Sequence, residues 1–412
     1  MSGRRVVVTG LGALTSLGIG AEKLWQAIRE ERGGIGYLTR FDRTAYHAQC
    51  AAEVNDYEPS AFFPPHRLKR LDRYAQFSLV VAQEALRHAG LEPAEGAAPD
   101  PRFGVSFGTA LGGIANAEQQ HARFLEKGPD AIPPSLALQV FGGSAHANIA
   151  IHYGLRGYAT TNSNSCASGT VAVGEAFRAI RDGYADRMVA GAAEAPLAPL
   201  TFGAFDAIKA MSKETADPAV ACRPFDRRRS GFVMGEGAAA MVLEEREAAR
   251  ARGATIYAEV LGYSLNNDAY HMTSSLPDGA SAILAMREAL REAGLKPEQV
   301  DYVNAHASST PMNDEHETHA LTEVFGSHRP AVSGTKGFYG HPLGATGTIE
   351  AVVMALALHH QYVPATLHCQ EPDHPGTLDL ALAGRAQPLR HALSNSFGFG
   401  GINSCLVLGR AE

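Results

Sequence analysis

One cysteine lies where the sequence pattern predicts a reactive thiol. Cys166 stands in the stretch YATTNSNSCASGTVAVGE, residues 158–175, between small polar residues and a helix-forming run. Where a strand leads into a helix, free backbone N–H groups and the positive end of the helix dipole favour thiolate, so we expect a lowered pKa. The alternative is a buried structural cysteine, since free cysteine is among the most buried residue types. We take Cys166 as the candidate nucleophile.

An internal repeat connects this cysteine with a histidine in the second half of the chain. Residues 84–93 read EALRHAGLEP and residues 288–297 read EALREAGLKP, which agree at eight of ten positions. The segment CASGTVAVGEA, which begins at Cys166, corresponds to HPLGATGTIEA, which begins at His341. In each segment a glycine lies three residues after the first residue, and a Glu-Ala pair lies nine and ten residues after it. The two halves therefore look like copies of one β/α unit.

This duplication predicts where the chemistry takes place. The starts of two equivalent helices, related by a pseudo-twofold axis, can face each other across one cleft, so we expect Cys166 and His341 to converge. The strand-like segment VDYVNA leads to His306 and ends in the same region if strand ends carry the chemistry, as they do in α/β sheets. One cysteine and two histidines in a cleft are the groups needed for acyl transfer through a thiolate.

Composition limits the class of protein. The 412 residues are 45% hydrophobic and 19% charged, with a formal net charge of −7, which describes a soluble chain and argues against nucleic acid as a bulk partner. The five cysteines are spread out without CxxC spacing, so we expect no disulfide framework, no metal site and a cytoplasmic location. No apolar stretch reaches the roughly 18 residues that span a bilayer, and no membrane partner is expected.

Two further patterns leave alternatives. The glycines of TGLGALTSLG near the N-terminus suit a tight turn, and they miss the GxGxxG spacing of a dinucleotide-binding loop. A basic cluster contains Arg67, Lys69 and Arg70. Such a cluster is either a solvated helix face or a docking site for an acidic carrier.

Seven motifs resemble, in order, those of the β-ketoacyl-acyl carrier protein synthases of the thiolase superfamily. They are VVVTGLGALTSLG, SCASGT, RPFDRRRSGFVMGEGAAAMVLEE, NNDAYHMTSSLPDG, NAHASSTPMND, GTKGFYGHPLGATG and NSFGFGGIN. The resemblance covers essentially the whole chain and implies an α/β thiolase fold, whose duplicated β/α halves form five layers, αβαβα. It implies a first half, residues 1–255, with the nucleophilic cysteine and a second half, residues 256–412, with the two histidines.

The resemblance also implies a reaction, the decarboxylative condensation of an acyl group with malonyl-acyl carrier protein. Cys166 would take the acyl group from a carrier-protein thioester. Backbone N–H groups of Cys166 and Phe399 would form the oxyanion hole. His306 and His341 would stabilise the enolate that remains when carbon dioxide leaves, as hydrogen-bond donors that act near pH 7.

Supporting roles follow from the same resemblance. Lys336, with Glu350 beside it, would order the cleft, and Phe399 would gate the acyl pocket. Leu111 would lie at the end of that pocket and limit chain length. The other substrate-binding residues, of which the first four would hydrogen-bond the pantetheine arm, are Thr273, Ser274, Ser308, Thr310, Phe205, Gly398 and Gly400.

The implied partners are an acyl carrier protein docked on the basic cluster, acyl and malonyl thioesters, and a second copy of the chain. A heterodimer with a chain-length factor is the alternative to the homodimer. No cofactor is expected, because loss of carbon dioxide supplies the driving force and phosphopantetheine arrives on the carrier.

Departures from the family pattern leave the pathway open. Ala307 replaces the usual glycine after the first histidine, Asn164-Ser165 replaces the usual Thr-Ala before the nucleophile, and Tyr339 adds bulk beside His341. The stretches APLAPLTFGAFDAIKAMS and NDEHETHA resemble ketosynthases of aromatic type II polyketide systems. The leading interpretation is an elongating enzyme similar to β-ketoacyl synthase II of fatty-acid synthesis, and the alternative is a type II polyketide or polyene ketosynthase.

Two other classes are disfavoured. A non-catalytic chain-length factor would lack the nucleophile, whereas this chain has Cys166, His306, Lys336 and His341 together. Chain-initiating synthases use Cys-His-Asn, so His341 within GHPLG favours an elongating enzyme over an initiating enzyme or a thiolase.

Overall fold

The structure, a computed structural model, describes residues 3–94 and 96–411. The strands are β1 (Val6–Thr15), β2 (Gly18–Ile19), β3 (Gly36–Tyr37), β4 (Cys50–Ala51), β5 (Phe103–Gly108), β6 (Ala159–Asn162), β7 (Arg187–Glu194), β8 (Gly237–Glu245), β9 (Ala258–Asn267), β10 (Tyr302–Asn304), β11 (Ala331–Ser333), β12 (Tyr362–Val363), β13 (Asp379–Leu380), β14 (Arg385–Ala386), β15 (His391–Gly398) and β16 (Ile402–Gly409). The helices are α1 (Ala21–Arg29), α2 (Pro65–Leu68), α3 (Arg73–His88), α4 (Ile114–Lys127), α5 (Leu136–Gln139), α6 (Ser144–Tyr153), α7 (Ser168–Arg181), α8 (Pro199–Ala207), α9 (Arg246–Ala251), α10 (Ala280–Ala293), α11 (Pro311–Phe325), α12 (Lys336–Tyr339) and α13 (Thr346–His360).

The main sheet has matching strand orders on either side of its centre, where β1 pairs antiparallel with β9. From β1 the order is β8, β7, β5, β6, and from β9 it is β16, β15, β10, β11. In both directions the first two pairings are antiparallel and the next two are parallel. The two halves are therefore copies of one β/α unit, which confirms the prediction from the sequence repeat.

Helices cover both half-sheets and fill the space between them. α3 packs on β1, β7 and β8, and α10 packs on β9 and β16. α7 and α13 contact each other and strands of both halves, and the largest buried apolar cluster combines residues from these two helices with both half-sheets. The resulting order of helix, sheet, helix, sheet and helix is the expected five-layered thiolase fold.

The first turns of α7 and α13 approach so closely that side chains have no room between them. A Cβ atom on Gly169 would lie 2.5 Å from the backbone nitrogen of Thr348, and one on Gly347 would lie 2.5 Å from the backbone nitrogen of Thr170. The Thr348 hydroxyl donates to the Gly169 carbonyl oxygen at 3.1 Å. Glycine is required at both positions, and the contact brings together the turns that precede the two helices.

The described residues include no helix with both the length and the apolar character needed to cross a membrane. Protein surrounds α13 on all sides, since every residue from Thr346 to Leu358 is buried. A helix that is buried all round belongs to the core of a large domain.

Gly347→Ala should lower the free energy of unfolding by about 1–3 kcal/mol, because the added methyl must push two backbones apart. Gly36→Ala is the matched control, since open space surrounds Gly36. Urea unfolding measures both variants. Equal urea midpoints for Gly347→Ala and the parent protein would contradict the claim that no side chain fits between α7 and α13.

Candidate active site

A cavity of about 410 Å³ lies between the two halves. Both halves contribute to its wall, which includes Cys166, Phe205, Phe232, Thr273, Ser274, His306, Ser308, Thr310, His341, Leu343, Gly398 and Phe399. The cysteine comes from the first half, whereas both histidines come from the second. The structure therefore brings together Cys166 and His341, which the repeat predicted to converge, and His306, which was expected there at a strand end.

Cys166 lies in a single 3-10 turn, Ser165–Ala167, directly before α7. Its side chain is half-buried at the cavity wall, whereas the other four cysteines of the chain are buried. The predicted fall in its pKa is wrong: burial raises the pKa of the thiol to about 12. The charge of Lys336 and the backbone N–H groups of Phe399 and Cys166 act in the opposite direction. The resting residue is a thiol whose sulfur faces two backbone donors.

His306 follows β10 and His341 follows α12, and their ring centroids are 5.5 Å apart. Burial lowers the pKa of both imidazoles well below the ordinary value, and the charge of Lys336 lowers it further. Both rings are therefore neutral at pH 7. Nδ1 of His341 lies 2.8 Å from the Thr346 hydroxyl oxygen. When that hydroxyl donates to Nδ1, the ring proton is on Nε2.

Lys336 and Glu350 form a completely buried ion pair behind the histidines, with Nζ and the carboxylate 2.6 Å apart. Lys336 Nζ also donates to the backbone carbonyl oxygen of His306. Burial raises the pKa of Glu350 to about 7, against the opposing effect of the lysine charge. The lysine therefore fixes the backbone of His306 and adds positive potential behind the cavity, without forming part of its wall.

Glu317 is a buried carboxylate that sequence reasoning missed. It accepts hydrogen bonds from the backbone N–H of His306 at 2.8 Å and of Ala307 at 2.7 Å, and from the Asn395 side chain at 3.1 Å. Glu317 lies on α11, which begins shortly after this loop. The acidic segment NDEHET after the histidine motif could have indicated such a residue. A helix that begins there can direct a carboxylate toward the backbone N–H groups of the histidine loop.

Phe399 follows β15, and its ring stacks on that of Phe205 with centroids 6.2 Å apart. A Cβ atom on Gly398 would lie 3.2 Å from the backbone nitrogen of Cys166, so a larger residue would crowd the nucleophile. Gly400 has a φ of 88° and lies behind the wall, where its N–H donates to the Met272 carbonyl oxygen at 2.7 Å. The loop therefore places the Phe399 backbone beside Cys166.

The other predicted substrate residues divide into two groups. Four hydroxyl residues line the cavity, namely Thr273, Ser274, Ser308 and Thr310. Leu111 lies outside the wall but packs in the apolar cluster that contains Cys166 and Phe205.

Ala307 has a φ of 42°, in the left-handed region that disfavours side chains, and it is fully buried. A Cβ atom on Gly334 would lie 2.7 Å from the Ala307 methyl. The unusual alanine therefore fits only because residue 334 is glycine.

The basic cluster lies on α2 and directly after it. Lys69 and Arg70 are exposed, whereas Arg67 is half-buried and lies 2.9 Å from Nδ1 of His152. The exposed charges leave this face suited to an acidic partner.

The fold and the cavity define a thiolase-fold protein with one cysteine and two histidines in a shared site. The chain belongs to the β-ketoacyl synthase family: the model of the "Beta-ketoacyl synthase, N-terminal domain" matches residues 3–249, and that of the "Beta-ketoacyl synthase, C-terminal domain" matches residues 257–370.

Relatives match along the whole chain. The 3-oxoacyl-[acyl-carrier-protein] synthase 2 of Synechocystis sp. is 42% identical, over 98% of this chain and 97% of its own. That of Coxiella burnetii is 40% identical, over 100% and 99%. Among solved structures, a type II polyketide ketosynthase complex with its acyl carrier protein, bound to a hexaketide, matches with a TM-score of 0.90, 36% identity and full coverage of both chains. The ishigamide ketosynthase/chain length factor matches with a TM-score of 0.92, 33% identity and full coverage of both.

His306 and His341 should each contribute less to the free energy of unfolding as the pH drops below about 6.5, because the unfolded chain binds protons at these histidines that the folded chain does not. Buried carboxylates with a raised pKa, such as Glu350, act in the opposite direction over the same range. A histidine with a lowered folded pKa contributes stability that is present above its unfolded pKa and is lost as the pH falls toward the folded value. Each histidine contributes up to about 1.4 kcal/mol per pH unit in that window.

The difference in free energy of unfolding between the parent protein and His306→Asn should therefore change as the pH falls below about 6.5, in the direction of a lower relative stability of the parent. Urea unfolding at a series of pH values measures it. His66→Asn, at an exposed position, is the matched control and should keep the parent's pH profile. Identical pH profiles in all three proteins would contradict a neutral, buried His306.

Proposed function

We propose that the protein is an elongating 3-oxoacyl-[acyl-carrier-protein] synthase that extends a fatty acyl chain by two carbons. The observation that carries this proposal is the shared cavity, in which Cys166 meets His306, His341 and the backbone of Phe399. Relatives named 3-oxoacyl-[acyl-carrier-protein] synthase 2, about 40% identical along the whole chain, support it.

The first step is acyl transfer to Cys166. Its sulfur attacks the carbonyl carbon of a carrier-bound acyl thioester, the bond to the pantetheine sulfur breaks, and the thiol proton leaves with that sulfur. The oxyanion lies between the N–H groups of Cys166 and Phe399, and one such donor is worth about 3 kcal/mol of barrier. Burial keeps the resting thiol protonated, so its proton is transferred to the pantetheine sulfur as the Cys166 sulfur attacks.

The second step is condensation with malonyl-acyl carrier protein. The bond between the malonyl carbon and its carboxylate breaks, carbon dioxide leaves, and the electron pair forms an enolate. Nε2–H groups of His306 and His341 donate to the enolate oxygen. The enolate carbon attacks the acyl-Cys166 carbonyl, the carbon–sulfur bond breaks, and the thiolate that leaves takes a proton from solvent.

Other residues position the reactants. Lys336, paired with Glu350, holds the His306 backbone, so it acts as a positioning residue rather than on the substrate. Phe399 gates the acyl pocket by moving its ring against Phe205, and Leu111 limits chain length. The hydroxyl residues that hold the pantetheine arm are Thr273, Ser274, Ser308 and Thr310, with Gly398 and Gly400 shaping the loop around the thioester. No resident cofactor takes part, because decarboxylation drives the reaction.

An acyl carrier protein docks on Arg67, Lys69 and Arg70, and the solved complex of a related ketosynthase with its carrier supports this partner. A second copy of the chain pairs along β6, an edge strand of the main sheet. The neighbouring helix α6 exposes 83% of Ile151 there. A chain-length factor on the same edge is the alternative. The protein acts in the cytoplasm, without nucleic acid or membrane partners.

A second candidate function is a type II polyketide or polyene ketosynthase. Similarity to a solved type II polyketide ketosynthase complex, at a TM-score of 0.90, favours it. The same residues would then condense poly-β-keto or unsaturated chains. Intact-mass spectrometry with saturated and polyketide-like acyl carriers separates the two functions by which group loads on Cys166.

Cys166→Ala should reduce condensation by about four orders of magnitude or more, because it removes the nucleophile. Elongation of acyl-acyl carrier protein by malonyl-acyl carrier protein measures the loss, and circular dichroism checks that the fold persists. Cys50→Ala, at a buried cysteine outside the cavity wall, is the control and should keep its activity. A Cys166→Ala protein that still elongated acyl chains would overturn the assignment.

A further inference from the structure

Glu194, at the carboxyl end of β7, is a completely buried carboxylate outside the roles assigned so far. Four donors from the described part of the chain converge on it. Oε1 accepts from the Thr109 hydroxyl at 3.0 Å and from the Leu111 N–H at 3.1 Å, and Oε2 accepts from the N–H groups of Ala110 at 2.7 Å and Gly344 at 3.1 Å. All four are neutral, so an anion is held here by hydrogen bonds alone. Burial raises its pKa to about 7, while the donors lower it.

These donors come from both halves of the duplicated fold. Thr109, Ala110 and Leu111 follow β5 in the first half, whereas Gly344 follows His341 in the second half. A Cβ atom on Gly344 would clash with the Ala110 backbone nitrogen and lie 2.7 Å from Glu194 Oε2. The carboxylate therefore joins two loops that pack too closely for a side chain to fit between them.

Each loop supplies one leucine to the surroundings of the nucleophile. Leu343 belongs to a buried apolar cluster and lines the cavity, and Leu111 and Cys166 both pack against this cluster. Leu343 has a φ of 38°, a conformation that side chains disfavour, and the residue after it is the one whose N–H bonds to Glu194. The strained backbone of Leu343 is thus held in place by the hydrogen bond from the Gly344 N–H to Glu194.

We propose that Glu194 is a positioning residue that sets the acyl-chain specificity of the pocket by holding Leu111 of one half and Leu343 of the other against Cys166. This inference rests on the proposed acyl-transfer function. Glu194 touches neither the reacting atoms nor the acyl chain, and it acts through the two leucines.

Glu194→Gln tests the proposal. A glutamine has one acceptor oxygen. Its NH2 group faces two N–H donors in one orientation, and the Leu111 N–H and the Thr109 hydroxyl in the other, so at least one loop contact is lost. The ratio of Cys166 acylation rates for a long and a short saturated acyl carrier should change by about tenfold, as expected for a hydrophobic pocket whose wall shifts by about one methylene. Intact-mass spectrometry measures the two rates.

Glu53→Gln is the matched control. Glu53 is also buried, and it accepts from the N–H groups of Thr39 and Arg40 and from the Thr39 hydroxyl, away from the cavity wall. It should leave the acylation ratio unchanged. The same change in both variants would mean that any buried glutamate has this effect and would overturn the proposal.

A second readout needs no acyl carrier. The negative charge of Glu194 contributes to the raised pKa of the Cys166 thiol. Alkylation of Cys166 by iodoacetamide at pH 8 should therefore run faster in Glu194→Gln, by about threefold, because loss of that charge lowers the pKa of the thiol. Wild-type protein that alkylates but never acylates would refute the proposed function, whereas an unaltered acylation ratio in Glu194→Gln would refute the role of Glu194.

Thr109→Val covers the case in which Glu194→Gln does not fold. At nearly constant volume it removes one donor from Glu194 and the acceptor of the Gly112 N–H in the same loop. The acylation ratio should therefore change in the same direction as in Glu194→Gln, by a smaller factor. A folded Thr109→Val protein with the parent's acylation ratio would overturn the proposal.

Discussion

The structure depends on one steric constraint, the contact between the first turns of the two central helices. At Gly169 and Gly347 the backbones of α7 and α13 meet with no space for a side chain. Because each helix is preceded by a turn with a functional residue, this contact fixes the position of Cys166 relative to His341. Duplication of the β/α unit thus produces a site in which neither half has the complete set of groups.

The buried charges behind this site determine its resting state. The Lys336–Glu350 pair is fully buried, and the lysine charge disfavours protonation of both His306 and His341. Burial keeps the Cys166 thiol protonated as well. The cysteine and histidine side chains in the cavity are therefore neutral before the reaction. Hydrogen-bond donors are already in place where negative charge develops, so little reorganisation of the protein is needed in the transition state.

The sequence allowed the fold and the convergence of the site to be predicted, because both follow from the repeat around Cys166 and His341 and from motifs in family order. The pKa of Cys166 could not be predicted from its local sequence, since walls contributed by distant segments bury the thiol. Glu317 and Glu194 were missed for a related reason. Each bonds a loop whose position relative to the carboxylate is known only once the halves are folded together.

The most direct test is a crystal structure of the protein with an acyl group trapped on Cys166. The account predicts that the acyl carbonyl oxygen accepts hydrogen bonds, about 3 Å long, from the N–H groups of Cys166 and Phe399. It also predicts that His306 and His341 face the space beside the thioester that the malonyl group would enter. An acyl group on another residue, or a carbonyl oxygen turned away from these two donors, would contradict it.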